Sequence, residues 1–314
     1  MAVIVRQYFQ PGAPDPVLPN ERVLAMVERC VPGADRVASV DESGGEARTY
    51  LVDTRVGDVV LKVQRPQQLR TWTSLAREVA FLDHLAGVDP SLPVPRVLGH
   101  GQDDDGVEYT VMTRVFGDAV LRAGLPDAAR PAALQALGAV IRRVHEVPQA
   151  PLEASGLFPE EWSAADLRAT LPEDVTDYAS ALAKREIPWP APLTPAALGR
   201  WVADQVPDDP SRVALHTNPG PTHTFVDGSG RLTGLIDFGD AYVGPPVLDL
   251  SRWTRPRDRR ALRDGYVAAG PTLPPAFWAL WPVVEVLADL LGVLRRDAGA
   301  AGSAKHLTEV LGRA

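Results

Sequence analysis

The 314-residue chain, 45% hydrophobic and 23% charged, can bury a large core and has room for two domains or one domain of two lobes. A net charge of −8 argues against a nucleic-acid partner, which needs a basic face; it suits a cationic ligand, though solubility alone accounts for it equally well. Cys30 is the only cysteine, so neither an intrachain disulfide nor a thiolate metal cluster can form, in keeping with a reducing cytoplasm.

Residues 1–10 are too short in apolar length for a signal peptide. The first third reads as strands around one helix. β-rich runs at 48–53 and 58–63, joined by a turn at 55–57, predict a hairpin, and a flexible Ser43-Gly44-Gly45-Glu46 tip precedes it. Residues 73–85 have helical periodicity behind a Thr/Ser start. The Pro93-Val94-Pro95 break precedes a strand at 108–115, and Phe116-Gly117-Asp118 is a candidate hinge. From about residue 119 the pattern turns helical. Residues 132–145 are amphipathic, Thr194-Pro195 supplies an N-cap and a Pro at N1, and the Pro- and Trp-rich stretch 147–192 resists assignment. A β island at 214–238 interrupts the helices. The most apolar stretch, 277–294, carries Pro282, Glu285 and Asp289, which favours a buried or pocket-lining helix over a membrane span. The class is α+β: a small β lobe with one key helix (1–116), then a hinge and a larger, mainly helical lobe with an embedded hairpin (117–314).

Only three lysines occur against 29 arginines, so each lysine invites a chemical question. In Val59-Val60-Leu61-Lys62-Val63, strand alternation sets Val60 and Lys62 on one face and the other three residues on the opposite one. Taken alone, Lys62 reads best as an exposed strand lysine. Its functional reading is a phosphate-binding lysine with Val60 beneath a nucleotide base. Glu78 shifts that balance. It shares a helical stripe with Leu75, Leu82 and Leu85, where a carboxylate is costly unless paired, and Lys62 is the candidate partner, functional or merely structural.

The strongest signal is His216-Thr217-Asn218-Pro219-Gly220-Pro221-Thr222-His223, followed by Leu235-Ile236-Asp237-Phe238-Gly239-Asp240. Asp227-Gly228-Ser229-Gly230 is turn chemistry, so 224–226 and 232–236 predict a hairpin that sets His223 opposite Ile236–Asp237. An imidazole and a carboxylate at that mouth could hold a divalent ion bridging nucleotide phosphates, although most His–Asp neighbours are unrelated surface groups.

In their order along the chain, these segments resemble the aminoglycoside phosphotransferase family, with its H-G-D-x-x-P-x-[NH] loop and I-D-[FW]-G-D segment. The Pro245-Pro246-Val247-Leu248-Asp249-Leu250 stretch fits as well, and nearly the whole chain is covered. The resemblance implies the two-lobed protein-kinase-like fold. It implies ATP-dependent transfer of the γ-phosphate to a hydroxyl of an aminoglycoside-, macrolide- or other antibiotic- or metabolite-like molecule. ATP or GTP would be the donor and Mg2+ the cofactor. Lys62 would grip the phosphates, Glu78 would position Lys62, and Asp237 and His223 would bind the metal. His216 would shape the loop, and Asp240 and Asp249 would serve structure through caps and loop hydrogen bonds. The small-molecule substrate is the expected partner, with no nucleic acid and no membrane, and the chain requires no more than a monomer or weak dimer.

Asn218 stands where that family places its catalytic aspartate. An amide can orient a hydroxyl but cannot accept its proton, a role worth about 10²–10⁴ in rate. Three readings stay open: an Asp-to-Asn variant that traps a substrate complex, a slow kinase using another base or water, and an impaired pseudokinase or nucleotide-binding module acting through a protein partner. A hydrolase or metal protein built on His216 and His223 ranks last, because neither a nucleophile elbow nor an H-E-x-x-H pattern occurs. Trp278, Trp281, Glu285 and Asp289 offer aromatic and acidic walls for a cationic or sugar-like substrate, but the stripe reads more readily as an amphipathic core helix.

Overall fold

Apolar alternation builds the first layer. The computed structural model describes residues 14–65, 74–158, 163–296 and 300–312; the reading of 1–10 and the Thr73 start signal lie outside them. After helix α1 (Asn20–Glu28), strands β1 (Ala34–Asp41), β2 (Ala47–Thr54) and β3 (Val59–Gln64) are followed by α2 (Ser74–Val88), β4 (Val97–Gln102) and β5 (Glu108–Thr113). The strands form one antiparallel sheet in the order β1-β2-β3-β5-β4. Along β3, Val59, Leu61 and Val63 are buried while Val60 and Lys62 are not, as the alternation requires. One sheet face is closed by α1, whose Val23, Met26 and Val27 meet Tyr50, Val52, Leu61 and Val111. This helix was not legible in the sequence: Pro19 precedes it and no side chain caps its start.

Helix α2 belongs to a different core. Phe81, Leu82 and Leu85 pack with Leu134, Leu137 and Phe238, so the helix that carries Glu78 is seated on the helical lobe as well as on its own sheet. Gly117 makes the crossing between lobes, with φ +100 and a position where a Cβ would lie 2.3 Å from the Val226 carbonyl oxygen. The next residues, β6 (Asp118–Ala119), pair with β8 (Thr224–Val226), which pairs with β9 (Leu232–Leu235). The crossing strand is thereby stitched to the predicted hairpin.

Between them run α3 (Val120–Ala123), α4 (Arg130–His145), α5 (Ala150–Ala154), α6 (Ala164–Lys184), α7 (Pro195–Asp204) and β7 (Val213–Leu215). Within the unassigned stretch lie α5 and α6, the latter opened by a reciprocal Ser163/Asp166 capping box and tolerating Pro172 inside it. The chain continues through β10 (Tyr242–Gly244), which pairs with β7, a 3-10 turn (Pro246–Leu250), α8 (Pro256–Ala268), α9 (Pro275–Arg295) and α10 (Ala300–Leu311). Among the described residues α9 alone is long and apolar enough to cross a membrane, and most of it is buried inside the protein. The architecture is the small-sheet lobe and helical lobe that the sequence order implied.

Gly117→Ala adds a Cβ at a positive φ and against a backbone oxygen. A loss of about 2 kcal/mol or more in urea unfolding is expected, since neither the strain nor the clash can relax without moving β8.

Candidate phosphate- and metal-binding site

Four of the residues singled out in the sequence meet at the cleft between the lobes. The Lys62 ammonium donates to both Glu78 oxygens at 2.8 Å and to Asp237 Oδ1 at 2.7 Å. Glu78, 1% exposed, also accepts the Phe238 backbone N–H at 3.1 Å. His223 Nε2 lies 3.2 Å from Asp237 Oδ2, at the register the hairpin predicted, with Ile236 N donating to the His223 carbonyl. Val60 shares the face of Lys62 but is half-buried and packs against the larger core. The cleft, about 980 Å³, is lined by Lys62, Glu78, His223 and Asp237, and the Ser43–Gly45 tip forms part of its wall together with Arg114, Arg122 and Asp240.

Burial works against the charge of Lys62, but Asp237 and Glu78 outweigh it and hold the ammonium above the ordinary lysine range. Burial raises Glu78, with Lys62 opposing. Asp237 bears a desolvation cost as well, yet Lys62 first and His223 next hold its carboxyl well below the usual range. Asp237 also has φ +74, outside the comfortable region for a residue with a Cβ, so its backbone is held in a strained turn that aims the carboxylate into the cleft.

Asn218 reaches this group through its backbone. Its carbonyl oxygen, which can only accept, lies 3.0 Å from His223 Nδ1 and fixes the proton there. With Nδ1 committed to that carbonyl, Nε2 is the ring nitrogen that faces Asp237 Oδ2. Such a contact calls for a proton or a cation between them. A divalent ion shared by an imidazole nitrogen and a carboxylate fits this donor set. Among the described residues no cluster of three or more His, Cys, Asp or Glu could hold a metal unaided. Phosphate oxygens and water would have to supply the remaining ligands.

The loop that carries Asn218 is anchored by a residue the sequence reading kept as structural. Asp249, fully buried, accepts the N–H of His216 at 2.8 Å and of Thr217 at 2.6 Å, and its Oδ2 lies 2.9 Å from His145 Nε2. Arg252 donates to the Thr217 carbonyl at 3.0 Å, so both sides of a β-branched residue at φ +75 are pinned. His216 is engaged at both nitrogens: Nδ1 accepts the Asn218 N–H at 3.2 Å, and Nε2 donates to the Ile236 carbonyl at 2.9 Å. Burial pushes it down to about 4, with Asp249 opposing. It is a neutral loop-shaping residue. Neither His145 nor Arg252 carried a sequence signal, because each acts through a contact distant in the chain. Asp289 is no pocket wall. It is fully buried on α9, paired with Arg259 at 2.5 Å and with His306 Nδ1 at 2.7 Å. Trp281 is buried too, and only Trp278 of that cluster is exposed.

The family model for the phosphotransferase enzyme family matches residues 37–281. No curated protein sequence gives a significant match. The fold is similar to that of the macrolide 2'-phosphotransferase MphH from Brachybacterium faecium, with 20% identity, 93% of this chain and 97% of that one covered, and a TM-score of 0.57. It is similar to aminoglycoside 2'-phosphotransferase-IIIa in its GDP complex (18% identity, 94% and 99% covered, TM-score 0.59). It also resembles APH(2")-IIa in a streptomycin–ATP ternary complex (16% identity, 95% and 97% covered, TM-score 0.57). At these identities the likeness speaks to the fold.

Replacing Lys62 by Met leaves Glu78 buried without its cation. A loss of about 3–5 kcal/mol in denaturant unfolding is expected, partly recovered in the Lys62→Met/Glu78→Gln double variant. The depressed His216 value sets a pH window. Its contribution is intact above the unfolded value of about 6.5 and declines as pH falls toward about 4, because the unfolded chain takes up the proton first. The decline approaches about 3 kcal/mol, and stability measured across this window should fall less steeply in His216→Gln.

Proposed function

This chain belongs to the phosphotransferase enzyme family, and we propose that it transfers the γ-phosphoryl group of ATP, or of GTP, to a hydroxyl of a small molecule. The observation that carries this reading is Lys62, bridged between Glu78 and Asp237 at the floor of a cleft of about 980 Å³. Phosphoryl transfer asks a protein mainly for positioned charge. Lys62, kept protonated by two carboxylates, supplies a fixed cation for the donor phosphates, and Glu78 keeps it from turning away. The cation held by His223 and Asp237 supplies, when bound, neutralisation of the nucleotide's negative charge. On this reading residues 1–116 carry the donor and 117–314 present the acceptor.

Asn218 orients the acceptor hydroxyl through its amide but cannot take the proton. His216 cannot stand in for it, because both ring nitrogens are bonded and the ring is buried. The reaction is therefore slow, with the proton leaving to water. The acceptor is proposed to be aminoglycoside- or macrolide-like, in keeping with the names of the structural relatives and the net charge of −8. A cytoplasmic location fits the single cysteine, and the proposed reaction requires no more than a monomer or weak dimer. Asn218 also favours a second reading, a nucleotide-binding protein without turnover.

Calorimetry with ATP and Mg2+ separates these readings from a site that binds no nucleotide. Metal-dependent binding that disappears in Lys62→Met is expected. Asn218→Asp should then raise phosphate transfer to a panel of aminoglycosides and macrolides by about 10²–10⁴ over the parent chain. Nucleotide binding with no transfer in either form would select the second reading.

A further inference from the structure

We infer that His223 sets which cation the site takes: a borderline divalent ion of the first transition row, such as Co2+, in preference to Mg2+. The inference rests on the donor-site reading above and concerns the regulation of that same site by metal identity.

Three constraints fix the nitrogen. The ring is held through Nδ1 by the Asn218 carbonyl at 3.0 Å, so it cannot rotate without losing that bond. The backbone of His223 is tied on both sides, its N–H to the Gly220 carbonyl at 3.0 Å and its carbonyl to Ile236 N at 3.1 Å. The side chain is only 19% exposed, which leaves little room for another rotamer. Nε2 is therefore the nitrogen left to face the cleft, 3.2 Å from Asp237 Oδ2, while Asp237 Oδ1 is occupied by Lys62. The protein offers one imidazole nitrogen and one carboxylate oxygen.

That donor pair discriminates among ions. Mg2+ is hard, demands oxygen donors in near-octahedral array and gives up water reluctantly. An imidazole nitrogen adds little to its binding. Co2+ and Zn2+ accept imidazole readily and stand above Mn2+ in the affinity order for such sites. A side-chain amide at position 223 would present an oxygen and remove the bias. The held tautomer strengthens it, because a ring that donates its far N–H to a carbonyl is oriented and made more basic at the ligating nitrogen.

The test uses the whole chain with a β,γ-imido analogue of ATP, and Co2+ and Mg2+ as probes. Co2+ is followed by its visible absorption, which reports nitrogen ligation directly, and both cations are followed by calorimetry. In the parent chain a Co2+ spectrum with nitrogen ligation is expected, which Mg2+ in about hundredfold excess does not reverse. His223→Asn is expected to weaken Co2+ by about tenfold or more while Mg2+ changes by less than about threefold, and to shift the spectrum toward all-oxygen ligation. The inference is overturned if Mg2+ displaces Co2+ at similar concentration, or if His223→Asn weakens both ions by the same factor. Should His223→Asn fail to melt like the parent, the competition in the parent chain decides alone. If neither cation supports binding of the analogue, the donor-site reading falls and this inference falls with it. Binding with both ions but without selectivity sinks the inference only.

Discussion

A carboxylate with almost no solvent around it organises the interlobe structure. Glu78 needs its charge satisfied, and the partners that satisfy it come from two distant parts of the chain: Lys62 on β3, and the adjacent pair Asp237 and Phe238, the first acting through Lys62 and the second through its backbone N–H. Each is costly to remove once the others are in place. The apolar half of α2 follows the same logic. Phe81 meets Phe158 and Phe238 edge-on, with centroids 5.6 and 5.3 Å apart, and Arg77 reaches the carbonyls of Leu157 and Gly239. The helix that positions the lysine is thus gripped by the lobe that carries Asp237.

A second network holds the loop at 216–223 without using any of its reactive side chains. Asp249 takes two successive backbone N–H groups, and His145 is in turn held by Tyr266 at 3.0 Å, which brings α4 and α8 to bear on the loop. Such bracing permits Thr217 a conformation that costs a β-branched residue about 1–3 kcal/mol on its own. The Trp253 indole N–H adds a bond to the Pro219 carbonyl at 2.9 Å. Because backbone contacts fix the loop, the identity of the side chain at 218 is separable from the fold. An amide there changes the proton chemistry and leaves the frame standing.

The parts of this arrangement that were legible in the sequence are those governed by local rules. Turn residues at 227–230 gave the β8–β9 hairpin and its register, hence the meeting of His223 with Asp237. Strand alternation placed Lys62, and a carboxylate in an apolar helical stripe announced that Glu78 needed a partner. What stayed hidden depends on separation. Lys62 and Asp237 are 175 residues apart, and His145 and Asp249 are 104 apart; no periodicity encodes either contact. The core reading of the α9 stripe holds, but the pairing of its acid Asp289 was hidden for the same reason. An acid on an apolar helix looks like a pocket wall until its partners, Arg259 and His306, are seen to come from α8 and α10. Helix α1 was missed for a local reason, since it begins at a proline with no capping side chain.

The contacts at Asp237 bear on the proposed reaction. Oδ1 is taken by Lys62 and Oδ2 faces His223, so both oxygens are engaged by the protein itself. A donor phosphate that shared the ammonium would weaken one contact of Asp237, and a divalent ion, which His223 and Asp237 would hold, would supply positive charge in its place. The exchange conserves the opposite charge around each group, which keeps its cost low despite burial. Glu78 does not take part in the exchange. Its bond to Phe238 N joins the lobes independently of the contact between Lys62 and Asp237. The two carboxylates therefore hold the lysine from different sides, Glu78 from its own lobe's helix and Asp237 from the helical lobe.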